Sequence, residues 1–293
     1  MLIRFFILFF ALIGPAAAEV CATDDNGKGL CLPAPAQRIV ALSPGAAELV
    51  FAAGAGDRVV AVVEYSDYPP AAKQLPRVGN HTRIDLETLV ELDPDLVITW
   101  VSGNPAEQVA LLEQLGLPQF AIEPRTLEGV ATALERLGTL TGASDSATAE
   151  ATRFRTGIAA LARQYQARAP IRVFYQVWDQ PLMTISNDHL IGKVIRMCGG
   201  QNIFGDMDRL VPRIGPEDVL ARNPQAILTG SSDSGDRGAA ELDLWRQFPS
   251  ISAVAHGNLL TIPASPISRP TPRLLEGARN VCEKLDLARD RLR

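Results

Sequence analysis

Histidine is scarce in this chain of 293 residues: there are three, His81, His189 and His256, none at HxxxH or HxxE spacing. A dedicated zinc site needs three or four convergent ligands, so none is expected. The four cysteines make no CxxC pair, which removes zinc ribbons and thioredoxin-like redox sites. No GxSxG elbow, P-loop or strand-linked GxGxxG occurs, so the common hydrolase and nucleotide chemistries lack their loops. Ser43 stands where a strand enters a helix, but that is the place of an N-cap. Asp93 and Asp95 flank a proline turn as ordinary loop acids. No enzyme and no catalytic cofactor are expected. Positive charge is short as well. Lys and Arg number 28 against 33 Asp and Glu, for a net charge of −5, which argues against nucleic acid as a partner. Aromatic residues are only 6% of the chain, so their positions carry weight.

What is present is a globular composition, 47% hydrophobic and 21% charged. One long apolar run occurs, "FFILFFALI", preceded by Arg4 and followed by "AAA" before Glu19. It reads as a cleavable secretory signal over residues 1–18, too short for a stable membrane anchor. The mature chain then begins near Glu19, outside the cytoplasm. Cys21 follows "AEV", whose valine stands where a lipoprotein signal needs a small residue, so lipidation is not expected. In an oxidising compartment the cysteines pair. Cys21 and Cys31 bracket the turn-rich "ATDDNGKGL" and close an N-terminal disulfide loop over residues 19–37. Cys198 is left with Cys282, tying the end of the chain to its second half.

About 270 residues remain, enough for one large domain or two lobes. "RIVAL", "DRVVAVVEY", "DLVITW" and "LPQFAIE" read as buried strands, separated by capped helices such as "SPGAAELVFAAG" and "NPAEQVALLEQLG". Strand alternating with helix predicts a small parallel sheet covered on both faces over residues 38–124. From 125 to 169 the text is helical without a strand, and "DSATAEATRFRTGIAALARQYQARA" predicts one long helix. From 170 to 293 the alternation returns. The expected fold is α/β, with two lobes, each a small parallel sheet flanked by helices, joined by a long rigid helix. Clefts between such lobes are preferred sites for small ligands.

Two stretches repeat one pattern. "DLETLVELDPDLVITW" (Asp85 to Trp100) and "GPEDVLARNPQAILTG" (Gly215 to Gly230) align at a constant offset of 130 residues, Glu87 with Glu217 and Pro94 with Pro224. Each glutamate falls at the second helical position. There it complements the helix dipole by roughly 0.3–1 kcal/mol, and that alone accounts for it. A pair of exposed carboxylates, one per lobe, could also engage arginines of a partner through bidentate hydrogen bonds. Three aromatics, Tyr65, Trp100 and Trp178, stand at strand ends, where they either pack the rim or face a ligand.

"RIVALSPGAAELVFAAGAGDRVVAVVEYSDYPP", "DLETLVELDPDLVITW", "CGGQNIF", "PEDVLARNPQAIL" and "SRPTPRLLEGARNVC" together resemble the cobalamin-binding periplasmic proteins of ABC importers, from about Arg38 to Cys282. The resemblance implies a periplasmic, monomeric protein that captures a corrinoid, cobalamin or a precursor, as cargo in the inter-lobe cleft. It implies docking on an inner-membrane permease, with Glu87 and Glu217 gripping arginines of its two subunits. It places Tyr65, His81, Trp100 and Arg269 near the ligand. Trp178 is a further aromatic cover for the flat ring, and Arg273 a further donor to its amide fringe. His81 is either a polar cleft residue or a ligand to cobalt. Departures from the family pattern fall at His81, Val177, Val211 and Ser265, and related two-lobed proteins bind haem, siderophores or other metal chelates, which is the alternative cargo. A continuous bridging helix implies little lobe closure.

Overall fold

The computed structural model describes residues 19–80, 82–231 and 236–293. The expected signal segment and His81 lie outside the described residues. In chain order the main elements are β1 (Ile39–Ala41), α1 (Pro44–Val50), β2 (Val59–Val62), α2 (Leu86–Glu91), β3 (Leu96–Trp100), α3 (Ala106–Gln114) and β4 (Gln119–Ile122). Then come α4 (Leu127–Thr141), α5 (Ser144–Tyr165), β5 (Ile171–Gln176), α6 (Leu190–Met197), β6 (Gly200–Asn202), α7 (Pro216–Arg222), β7 (Ala226–Ser231), β8 (Leu259–Pro263) and α8 (Leu274–Arg291). Two four-stranded sheets result, in the orders β2-β1-β3-β4 and β6-β5-β7-β8, parallel throughout. The same order in both halves is the architectural form of the repeated text.

The repetition reaches into the caps. Asp85 and Gly215 are the N-caps of α2 and α7, as expected, with Leu86 and Pro216 at the first helical position. Asp93 and Asn223, also 130 residues apart, both take left-handed backbone (φ 45° and 43°) just before the paired prolines. The freed carbonyls at these helix ends are met by an arginine from the strand entry of each sheet. Arg38 donates to Leu92 O at 2.6 Å, and Arg172 to Asn223 O at 3.0 Å. A cation at a helix C-terminus satisfies orphan carbonyls and complements the dipole.

The stretch between the sheets forms two helices that pack side by side. Thr126 caps α4 by accepting from Gly129 N at 2.8 Å, and Gly142 (φ 67°) ends it in a left-handed turn. Arg155 on α5 bonds Glu128 and Glu135 of α4 together. At 22 residues α5 is about 33 Å long. Gly157 lets α8 approach it closely, since a Cβ there would come within 2.3 Å of Leu275 Cδ2. One hydrophobic core runs from Ile39 and Phe120 through Phe154 and Leu161 of α5 to Ile171 and Leu285, so the two sheets share their inner packing. Each outer sheet face has its own cluster, around Leu89 and Leu112 in one half and around Phe174 and Trp245 in the other. α1 is shorter than its pattern implied; the chain continues from Phe51 to Ala55 as a wider turn around Gly54 (φ 90°).

Both expected disulfides form, Cys21–Cys31 and Cys198–Cys282. The second spans 84 residues and in the chain-entropy picture removes roughly 4–5 kcal/mol of unfolded-state freedom. The first staples a hairpin, Val20–Thr23 with Gly29–Leu32. Beyond its strands, Asp25 N donates to Ala121 O at 3.0 Å, and Asp24 accepts from Ala121 N at 3.3 Å. The hairpin thus covers β4, an edge strand whose open backbone would otherwise invite pairing with another chain.

Candidate functional site

In a parallel sheet the loops at the carboxyl ends of the strands carry the variable chemistry. Tyr65 follows β2, Trp100 ends β3 and Trp178 follows β5. Tyr65 is 74% exposed and Trp178 42%, far more than a packed aromatic would be. Tyr65 takes left-handed backbone, φ 64°. Trp178 is held by its Nε1–H, which donates to Gln180 O at 2.9 Å. The backbone of Trp100 is fixed by Asn104, whose Oδ1 accepts from Trp100 N at 2.7 Å while its Nδ2 donates to Leu42 O. Its ring lies against Gly103, where a Cβ would come within 1.8 Å of Trp100 Cε3. Gly103→Ala is therefore expected to displace the ring, changing tryptophan fluorescence while the far-ultraviolet circular dichroism stays as it was. Unchanged fluorescence would contradict that packing. The third tryptophan, Trp245, is fully buried in the second-half core and donates to Gln176 at 2.7 Å.

These aromatics surround cavities between the two sheets. One, of about 480 Å³, lies among Tyr65, Trp178, His189 and Arg269. A second, of about 350 Å³, is walled by Tyr65 and Trp100. A third, of about 250 Å³, joins Trp100 to His189. Arg269 borders all three. Val177, Val211 and Ser265, the departures from the family pattern, all line the largest of the three.

Arg269 is less free than a ligand donor would be. Its Nη1 donates to Glu48 Oε1 at 2.7 Å and to Asp67 Oδ1 at 2.6 Å, and its Nη2 to Tyr65 O at 3.1 Å. Glu48, on α1, has a side chain only 2% exposed. It also accepts from Thr271 Oγ1 at 2.8 Å and Arg273 Nη1 at 3.2 Å. A buried carboxylate from the first half thus holds three groups from the second. Burial works against charge at both Asp67 and Arg269, yet their pairing prevails: Asp67 is held below the usual carboxylate range and Arg269 above its ordinary value. Glu48 left a signal in "GAAELVF", a lone acid among apolar neighbours, and a buried acid requires partners.

Arg273 stands apart from the three cleft cavities. Its guanidinium lies over the Tyr68 ring, 4.1 Å from the centroid, and lines a separate groove of about 490 Å³ with Glu150, Arg153 and Glu276. His189 was not expected at the site. It is the N-cap of α6, and its Nδ1 accepts from Ile191 N at 3.1 Å. An imidazole nitrogen that accepts from a backbone N–H is unprotonated, so the neutral ring carries its proton on Nε2. Burial, with Lys193 adding to it, pulls the His189 pKa down to about 4. His81 lies outside the described residues; the flanking Gly79–Asn80 and Arg83–Ile84 pair as a short hairpin. The one group of possible metal ligands among the described residues is Glu19, Cys21 and Cys31, and its two sulfurs are already joined to each other.

Glu87 and Glu217 are both exposed at the starts of α2 and α7. No ion pair to either occurs among the described residues. A helix that leads into a parallel strand runs back along the sheet, so both carboxylates stand at the carboxyl-end edge of their sheets, the edge that carries the aromatic loops.

The periplasmic binding protein family profile matches residues 39–266. The chain belongs to this family. Within it, the chain is 38% identical over 260 residues to a Vibrio cholerae protein named vitamin B12-binding protein, covering 88% of this chain and 92% of the relative. A protein of the same name from Pectobacterium carotovorum is 35% identical over 251 residues, covering 85% and 88%. The crystal structure of the periplasmic vitamin B12 binding protein of V. cholerae superposes with a TM-score of 0.80 at 38% identity, over 87% of this chain and 98% of that one. A periplasmic heme-binding protein from Roseiflexus shares the fold, with a TM-score of 0.75 at 22% identity over 86% and 98%.

Proposed function

We propose that this family member is exported to the periplasm, captures a corrinoid between its two halves and delivers it to an ABC importer permease. The carrying observation is that Tyr65, Trp100 and Trp178, from both halves, line one set of cavities, with Tyr65 and Trp178 exposed. A corrin is broad, flat and partly apolar, and rigid aromatic faces cover such a ring with little loss of side-chain freedom. The amide fringe needs hydrogen bonds. His189 offers one donor, Nε2–H. Arg273 serves the site through Glu48. Glu87 and Glu217 dock on permease arginines. The similarity to vitamin B12-binding proteins over most of the chain supports the corrinoid over haem or a siderophore. Incubating the mature protein with cobalamin, haem and a ferric siderophore, then desalting and recording spectra, tests the reading. A corrinoid spectrum alone should travel with the protein; retained haem without corrinoid would replace the reading with its alternative.

The tautomer of His189 gives a sharper expectation. The ring donates to the ligand and does not coordinate cobalt, so the spectrum of bound aquocobalamin should match that of free aquocobalamin in this respect. His189→Asn keeps an N-cap acceptor and removes the Nε2 donor. It should weaken cobalamin binding severalfold, about 1 kcal/mol, with little change in thermal stability. Wild-type affinity in this variant would remove His189 from the ligand's contacts. The same ring makes stability depend on pH. An unfolded histidine titrates near 6.5 and the folded one near 4, so the unfolded chain binds more protons in that interval. The His189 contribution is whole above pH 6.5 and fades as pH falls towards 4. A His189→Asn variant should show a flatter stability curve across that window.

A further inference from the structure

We infer that Arg269 acts on the ligand through Tyr65, as a positioning residue that reaches across the cleft and pins the Tyr65 loop in its left-handed backbone form. This rests on the corrinoid reading above. Tyr65 carries a Cβ and a ring at φ 64°, a region that side-chain-bearing residues avoid and that persists only where surroundings enforce it. The enforcing contacts are on either side of Ser66. Arg269 Nη2 donates to the Tyr65 carbonyl at 3.1 Å, and its Nη1 donates to the Asp67 carboxylate at 2.6 Å. Beneath them, Ser66 is buried and its carbonyl accepts from Arg77 Nη2 at 3.2 Å.

The anchor for this clamp lies in the other direction. Arg269 Nη1 also donates to Glu48 Oε1, and Glu48 is buried and shared with Thr271 and Arg273. The guanidinium is therefore fixed before any ligand arrives, with both Nη1 protons spent on carboxylates and one Nη2 proton on Tyr65 O. A rigid planar fork presents donors from two nitrogens to these three acceptors in one geometry, whereas an ammonium offers a single nitrogen on a flexible stem. The loop so held sets the exposed Tyr65 ring on two of the three cleft cavities.

A double-mutant cycle in cobalamin affinity tests the assignment, using the mature protein with Arg269→Gln, Tyr65→Ala and both. Each single change should weaken binding about tenfold, and the pair no more than the stronger single, because Arg269 works by way of Tyr65. Losses that add would make Arg269 an independent ligand contact and overturn the inference. Asp67→Asn, which leaves the Glu48–Arg269 pair in place, guards against a folding defect in Arg269→Gln. It too should weaken binding severalfold and add nothing to Tyr65→Ala; wild-type affinity there would contradict the clamp. A ligand-free readout separates this inference from the corrinoid reading. Ser66 N donates to Val63 O, and its amide should exchange faster with solvent in Arg269→Gln and in Arg269→Lys than in the wild type. Equal exchange overturns the clamp, whereas a wild-type protein that binds no corrinoid overturns the functional reading and leaves the exchange test standing.

Discussion

Glu48→Ala should lower the unfolding free energy of the mature protein by roughly 3–5 kcal/mol, the usual cost of stripping one partner from a buried ion pair. The Glu48 side chain is 2% exposed, and that of Arg269 is 15% exposed. Removing the carboxylate leaves Thr271 Oγ1 without its acceptor and Arg269 with Asp67 as its remaining carboxylate. It also opens a cavity in a helix that otherwise buries Ala46, Ala47, Leu49 and Val50. Glu48→Gln keeps the volume and an acceptor for Thr271, but turns an amide towards a guanidinium, so its loss should be intermediate. Urea unfolding reads both. A loss below about 1 kcal/mol for the alanine variant would mean that the cross-half network contributes little, as exposed pairs do. The network also bears on motion. With α5 continuous and Glu48 tying the halves at the cleft base, free and ligand-bound forms are expected to differ by little lobe rotation.

The second large effect is on delivery. Reversing both charges, Glu87→Lys with Glu217→Lys, should abolish corrinoid uptake while leaving affinity within about twofold of wild type. Both acids are exposed, without an ion pair among the described residues, and neither lines a described cleft cavity. Each helix loses a favourable charge at its start, about 0.3–1 kcal/mol, and gains an unfavourable one, so stability falls modestly. Docking on arginines, by contrast, depends on the sign of the charge, and a lysine facing an arginine is repelled. Uptake by cells carrying the double variant, set beside calorimetry on the purified protein, separates the two surfaces. Lost affinity would place the acids in the cleft, and intact uptake would leave them with no task beyond the helix dipole.

The fold was legible in the sequence because its signals are local. Ser43, Asp85 and Gly215 stand where caps must stand, short apolar runs mark the strands, and the 130-residue offset announces two similar halves. The disulfides followed from compartment and spacing. What stayed hidden depends on long-range geometry. Glu48 meets Arg269 across 221 positions, and nothing local to either residue names the other. Arg269 and Arg273 look alike in "SRPTPR", yet the backbone sends one to the cleft and the other over Tyr68. His189 reads as a helix start, which it is; only its place between two cavities makes it part of the site. Arg38 and Arg172, the caps of the repeated helices, lie before the strands and not beside the helices they close, so the repeated text alone does not reveal them.

On the proposed function, aromatic faces from both halves enclose a flat corrinoid in the cleft. Calorimetric titration of the mature protein with cobalamin, in the wild type and in Tyr65→Ala with Trp178→Ala, tests it most directly. One corrinoid per chain should bind tightly to the wild type, and the double variant should lose at least tenfold in affinity, about 1.4 kcal/mol, at unchanged stoichiometry. Equal affinity in the two proteins, or no binding heat with the wild type, would contradict it.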